Sequence, residues 1–242
     1  MVYEPRWYRE SMKTPGLVSC IVVEDETDLF IVGDIDLSAV ARQAVLAVRG
    51  DIESFIESHP MFGTTYEPYD VTGAAPDIVK RMATAGKAAG VGPMAAVAGA
   101  VAECVGRACL AESSQVIVEN GGDIFIAAPE LRRLSVYAGE SSLSERIILV
   151  IKPEQMPLGI CTSSGTVGHS KSIGVADAAV AISPDTALAD AWATRLGNLV
   201  HTQNDLDKAI LTAQNAAGLT GAIIIKDDKM AAWGAIELEP LK

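Results

Sequence analysis

Asp190 and Thr194 stand four residues apart in the run Ala189-Asp190-Ala191-Trp192-Ala193-Thr194. On a helix that spacing stacks a carboxylate and a hydroxyl one turn apart on a single face. Two hard oxygen donors placed in this way can hold a divalent cation. The same spacing also arises on solvated helix faces. Here Ala187, Leu188, Ala189, Ala191, Trp192 and Ala193 leave that helix little polar surface. An aspartate on a buried helix needs a partner, and a metal ion is one way to supply it.

Two loops carry the other candidate groups. Thr162-Ser163-Ser164-Gly165 follows an apolar run and offers hydroxyl and N–H donors of the kind that bind phosphate. An ordinary polar loop has the same composition. The run fits neither the G-x-x-x-x-G-K-[ST] nor the G-x-S-x-G pattern. Asn120-Gly121-Gly122-Asp123 lies between two β-rich runs. Adjacent glycines remove two side chains and admit positive φ, which leaves their N–H groups able to face an anion or a ring system. A type I′ hairpin turn accounts for the same four residues. His169 follows the hydroxyl loop and is the candidate acid–base residue. Cys161 precedes the loop and would pair with His169 as a nucleophile only in an electropositive setting.

Strands and helices must both contribute to position these groups. Leu17–Val23 and Leu29–Val32 read as a hairpin. Asp36 is placed to cap a helix from Leu37 to about Ser58, which His59-Pro60 ends. Met61 to Gly73 reads as a loop or irregular strand. Pro76 suits the first turn of a helix over Asp77–Ala89, and Pro93 starts another that continues over Met94–Ala111. Strands follow over Gln115–Glu119, Ile124–Ala127, Leu134–Ala138, Arg146–Lys152, Leu158–Thr162 and Ala178–Ser183. Helices over Thr186–Val200 and Asp205–Ala216 come next, then a hairpin of Ala222–Ile225 with Met230–Glu237. Strands in antiparallel-looking hairpins and helices in separate groups argue α+β. No linker or repeat divides the chain, so residues 1–242 are expected to form a single domain.

The 242 residues carry a formal net charge of -12, and no Lys/Arg cluster reverses it locally. So acidic a chain is a poor binder of nucleic acid or of anionic membranes. An acidic protein that handles phosphates needs a metal or backbone N–H groups to do so. The four cysteines, Cys20, Cys104, Cys109 and Cys161, make no C-x-x-C pair and no zinc spacing. They read as reduced, mostly buried thiols. No leader, lipid-attachment site or membrane-spanning run is visible, so the expectation is a soluble, cytoplasmic protein.

Asn120-Gly121-Gly122-Asp123-Ile124, Thr162-Ser163-Ser164-Gly165, His169 and the Ala189–Thr194 run together resemble the ApbE-like superfamily in order and spacing. The resemblance covers Gln115 to Val200 and points to a short branch of a superfamily that includes the FAD:protein FMN transferases. It implies an α+β fold with a mixed, largely antiparallel sheet and packed helices, and a Mg2+-dependent site for FAD. In such transferases the metal grips the pyrophosphate, a threonine hydroxyl of an acceptor protein attacks it, FMN is transferred and AMP leaves. Carried onto this chain, Asp190 and Thr194 are the implied metal ligands, and His169 and Asp190 the implied catalytic residues. Asn120, Gly121, Gly122 and Asp123, with Thr162, Ser163, Ser164 and Gly165, are the implied cofactor-facing residues. A flavin nucleotide and an acceptor protein are the implied partners. One departure is clear: Ser170-Lys171-Ser172-Ile173 stands after His169 where the family has an Ile-x-Asp-Pro-x-Thr-Gly segment. That departure keeps two alternatives open, a flavin or nucleotide binder that lacks the transfer step and, more remotely, a hydrolase using Cys161 and His169.

Overall fold

The structure, a computed structural model, describes Arg9, residues 14–166 and residues 173–241. Eight strands make one fully antiparallel sheet in the order β1-β2-β3-β4-β7-β8-β9-β10. They are β1 Val18–Glu24, β2 Thr27–Gly33, β3 Val116–Asn120, β4 Asp123–Ala127, β7 Leu158–Ser163, β8 Ala178–Ser183, β9 Gly221–Lys226 and β10 Lys229–Gly234. A three-stranded sheet, β11-β6-β5, is built from β5 Arg132–Ser135, β6 Ile147–Ile151 and β11 Glu237–Pro240. The helices are α1 Ser38–Ser58, α2 Asp77–Ala89, α3 Val97–Cys109, α4 Thr186–Asn198 and α5 Leu206–Gln214. The chain is an α+β protein, as its pattern of elements implies.

Side chains alternate between the two faces of a strand, and both faces of the large sheet are apolar. Leu29, Ile31, Val116, Val118, Phe125, Cys161, Ala179, Ala181, Ala222 and Ile224 face the helices. Phe30, Val32, Ile117, Ile126, Ile160, Val180, Ile182 and Ile223 pack instead with Leu149 and Ile151 of the small sheet. The result is three layers with a core on each side of the central sheet. Small residues dominate α3 and α4, so these helices lie close together.

Most element boundaries follow the sequence reading, and the exceptions have local causes. Pro93–Ala96 is a 3-10 turn before α3, and Pro60–Gly63 another, at the start of the segment expected to be a loop or irregular strand. The expected strand at 230–237 is two strands, because the chain turns at Gly234 with φ 108° and crosses to the small sheet. The strand expected at Leu134–Ala138 starts earlier, at Arg132. Asp36 does not occupy the cap position of α1; Leu37 does, and Asp36 accepts a hydrogen bond from the Ser38 N–H at 2.9 Å. Among the described residues no single helix is long and apolar enough to cross a membrane.

Candidate functional site

Asn120-Gly121-Gly122-Asp123 closes the β3–β4 hairpin, with Asn120 opposite Asp123. Both glycines take positive φ, 67° and 104°, as a two-residue primed turn demands. The hairpin reading therefore holds. The glycine N–H groups are not both open to a ligand, however, because the Gly122 N–H donates to Glu119 Oε1 at 2.9 Å. What Gly122 contributes is space: a Cβ there would meet only the Thr162 carbonyl oxygen, 3.8 Å away. Asn120 turns toward the helix layer and donates from Nδ2 to the Ala98 carbonyl at 3.1 Å.

Asp123 opens β4 and is buried beside β7. It accepts from the Thr162 N–H at 3.3 Å, and its carboxyl lies against the Cys161 thiol. Asp190 reaches the same place from α4. Its Oδ2 accepts from the Gly99 N–H at 2.8 Å, and its carboxyl is bonded by the Ala98 N–H as well. Ala98 and Gly99 lie in the first turn of α3, so Asp190 satisfies two of that helix's orphan N–H groups from a neighbouring element. Gly99 is required here: a Cβ would sit 2.4 Å from the Thr186 carbonyl oxygen and 2.8 Å from Asp190 Cβ. The partner that a buried Asp190 needs is thus supplied, at least in part, by backbone.

The two carboxyls perturb each other. Burial pushes Asp123 well above the usual carboxylate range, and the nearby Asp190 charge adds to it. Burial raises Asp190 to about 7, against the lowering effect of the Gly99 and Ala98 N–H groups. Such a pair titrates jointly, so the proton belongs to both groups. Among the described residues no arginine or lysine pairs with either carboxyl, and no group of three or more His, Cys, Asp or Glu converges as a metal cage.

The remaining expected residues fall into place unevenly. Thr194 is half-buried, one turn beyond Asp190 on α4. Ser163 is buried on the helix-facing side of β7; a Cβ on Gly197 of α4 would lie 3.5 Å from its hydroxyl. Thr162 and Ser164 are half-buried and Gly165 is exposed. The Gly165 N–H donates to the Ala176 carbonyl at 2.9 Å, and Ser164 Oγ accepts from the Thr166 N–H at 3.1 Å. The Gly122 and Gly165 N–H groups, expected to face a ligand, are thus each held by an acceptor within the protein. His169 lies outside the described residues. Cys161 is fully buried, donates to the Thr186 carbonyl at 3.4 Å, and is pushed well above the usual thiol range by burial and then by Asp123 and Asp190. A buried thiol beside two carboxyls is the reverse of an activated nucleophile. The hydrolase alternative loses its nucleophile.

Several residues here were not singled out by sequence. Glu103 of α3 is buried and accepts from the Thr186 N–H at 2.8 Å, at the first turn of α4. Arg81 Nη2 and Arg107 Nε each lie 2.7 Å from it. Its signal was an acid inside the apolar run Val101-Ala102-Glu103-Cys104-Val105, the same signal that drew attention to Asp190.

The family model described as AbpE bacteria matches residues 9–226 of this chain. A UPF0280 protein of Methanocella arvoryzae is 42% identical over 212 residues, covering 87% of this chain and 86% of that protein. A UPF0280 protein of Methanococcoides burtonii is 40% identical over 215 residues, covering 87% and 90%. Among solved structures, the apo flavinyl transferase ApbE of Pseudomonas stutzeri superposes with a TM-score of 0.59 at 12% identity, covering 90% of this chain and 94% of that one. The ApbE protein of Thermotoga maritima gives 0.54 at 14% identity, covering 91% and 96%. At such identities these likenesses establish the fold.

Proposed function

This chain belongs to the family described as AbpE bacteria, and from that premise we propose that it binds a flavin nucleotide together with Mg2+ and acts at the nucleotide's pyrophosphate. The observation that supports this most is the buried carboxyl pair Asp123 and Asp190, with no compensating arginine or lysine among the described residues. Burial holds this pair protonated, and a bound cation would favour its ionised form. The chemistry of the donors fits Mg2+, which usually takes one or two carboxylates and completes its shell with water and substrate phosphates. With the Gly122 and Gly165 N–H groups engaged, phosphate binding would draw on a bridging cation and on side-chain hydroxyls.

Bound Mg2+ would supply Lewis-acid withdrawal of charge from the phosphoryl oxygens. Asp190 and Thr194 would hold it, Asp190 losing its shared proton near neutral pH. Asn120, fixed on the Ala98 carbonyl, and the side-chain-free Gly121 and Gly122 would border the flavin ring. Thr162, Ser163, Ser164 and Gly165 would line the phosphate side, with Asp123 orienting Thr162 through its backbone N–H. His169 is assigned proton transfer from the attacking hydroxyl of an acceptor protein. The likeness in fold to the flavinyl transferase of P. stutzeri supports transfer as the reaction.

One observation favours a second reading, a binder without turnover: the Ile-x-Asp-Pro-x-Thr-Gly segment has no counterpart after His169. Incubation with FAD and MgCl2, followed by chromatography of the nucleotides, separates the two. With a threonine-containing acceptor peptide included, FMN on the peptide together with AMP release, both lost in Asp190→Asn, supports transfer. Intact FAD retained on the protein supports the binder. Neither retention nor release overturns both.

A further inference from the structure

We propose that Arg9 is a positioning residue for the Gly121-Gly122 turn, and that it acts through Glu119 from the opposite face of the central sheet. The functional half of this proposal rests on the flavin reading above; the hold on the turn does not.

Arg9, Asp28 and Glu119 are all buried, with 6%, 3% and 1% of their surfaces exposed. They meet at the end of the β2–β3 pair nearest the turn, where Leu29 lies opposite Asn120. Arg9 Nε donates to Glu119 Oε2 at 2.7 Å. Its Nη1 donates to Asp28 Oδ1 at 2.7 Å and its Nη2 to the Asp28 carbonyl at 2.8 Å. The guanidinium also stands 5.9 Å from the centre of the Phe30 ring. All three nitrogens of the planar fork are used, which a lysine cannot reproduce.

Glu119 passes this on. Its second oxygen, Oε1, accepts the Gly122 N–H at 2.9 Å. One carboxylate therefore links a buried cation to the turn that borders the candidate site. Neighbours on β3 face opposite sides. Asn120 looks at Ala98 in the helix layer, while Glu119 shares its face with Ile117 on the small-sheet side.

The turn needs such a restraint. Two adjacent glycines have no Cβ to limit φ and ψ, so local sequence leaves their conformation open. A charge-assisted bond to Gly122 selects one conformation. Among the described residues, the charged groups facing Glu119 include Arg9, Asp28 on β2 and Asp123 across the turn. Removing Arg9 takes a buried positive charge from among three acids. Glu119 would then lose the bond that fixes Oε2, and with it the restraint that holds Oε1 on the Gly122 N–H.

The test compares native protein with Arg9→Met, Arg9→Lys and the double variant Arg9→Met/Glu119→Gln. Glutamine is neutral and keeps an oxygen for the Gly122 N–H. Amide exchange at Gly122 is read by NMR without flavin, with Val118 and Phe125 as core controls. FAD affinity is read by fluorescence in the presence of MgCl2. Arg9→Met should speed Gly122 exchange and weaken FAD binding, each by about tenfold, with the core amides still protected. Arg9→Lys should fall between native and Arg9→Met, and the double variant should return both readouts toward native. Native protection of Gly122 in Arg9→Met would overturn the proposal, as would a double variant that restores neither readout. Gly122 freed with FAD affinity unchanged would overturn the positioning role and leave the flavin reading standing. If the native protein binds no FAD, the flavin reading falls, and Gly122 exchange still decides whether Arg9 holds the turn.

Discussion

Glu103 and Asp190 cap each other's helices across the α3–α4 contact, in opposite electrostatic settings. Glu103, on α3, accepts the Thr186 N–H at the start of α4. Asp190, on α4, accepts the Gly99 N–H at the start of α3. Both are buried, and each sits four residues beyond the residue that the other caps. Burial raises both carboxyls. At Glu103 it is outweighed by the Thr186 N–H, Arg107 and Arg81, so that carboxyl ends below its usual range. At Asp190 the backbone N–H groups do not outweigh it, and its neighbour is another acid. The geometry is that of a reciprocal clasp, and the charge balance separates its halves. One half is complete without a ligand. The other gathers carboxyls where a cation would lower the free energy, which is the physical basis for placing Mg2+ there.

Breaking the completed half should cost most. Glu103→Ala removes a cap and the common partner of two arginines, and should destabilise the protein by roughly 3 kcal/mol in urea unfolding. A loss under about 1 kcal/mol would show that the clasp is not a structural unit. Gly99→Ala strikes both halves, because the new Cβ meets the Thr186 carbonyl oxygen and Asp190 Cβ. Overpacking of this kind should cost about 2 kcal/mol, again by urea unfolding, and should weaken Mg2+ binding with it.

The pH dependence sharpens the contrast further. Burial raises Asp190 to about 7 from an ordinary value of 3.8 and raises its partner Asp123 as well, so above 3.8 the native pair holds a proton that the unfolded state has lost. Its contribution to stability is therefore greatest below pH 3.8 and declines as pH rises to about 7. The limiting slope is about 1.4 kcal/mol per pH unit. Glu103 has the opposite sign: its contribution is present above the unfolded carboxylate pKa and is lost as pH falls through the depressed folded one. Metal-free Asp190→Asn should thus gain thermal stability relative to native as pH is raised from 5 to 7, while Glu103→Gln should run parallel to native over that range and gain on native only as pH falls below 4.5, the ordinary value of that carboxyl. Parallel melting curves for native and Asp190→Asn would contradict the assignment. The smallest effect is expected at Thr194→Val, with stability within about 1 kcal/mol of native and a weakened response of the melting temperature to MgCl2.

The parts of this arrangement that sequence revealed are those set by near neighbours. Pro76 and Gly90 punctuate α2, whose bounds, Asp77–Ala89, are those read from the residues alone. The Asn-Gly-Gly-Asp turn and the β-branched strands were legible for the same reason. Asp190 stood out as a lone acid in an apolar helix. Glu103 had the same signature, and its role stayed hidden because Thr186 is 83 positions away and Arg81 lies on another helix. The backbone capping of Asp190 was hidden likewise, since Gly99 is 91 positions away. Loop composition misled in a specific way. It counts N–H groups but not their acceptors, so Gly122 and Gly165 read as open donors although Glu119 and the Ala176 carbonyl hold them.

Whether the Asp190 half of the clasp is a Mg2+ and flavin site is decided by a calorimetric titration of FAD, with and without MgCl2. The samples are native protein, Asp190→Asn and Glu103→Gln, all confirmed folded by circular dichroism. Native protein should bind FAD only with Mg2+, Asp190→Asn should bind none, and folded Glu103→Gln should retain binding. Native protein with no affinity for FAD under either condition, or Asp190→Asn binding as tightly as native, would contradict the assignment of the site.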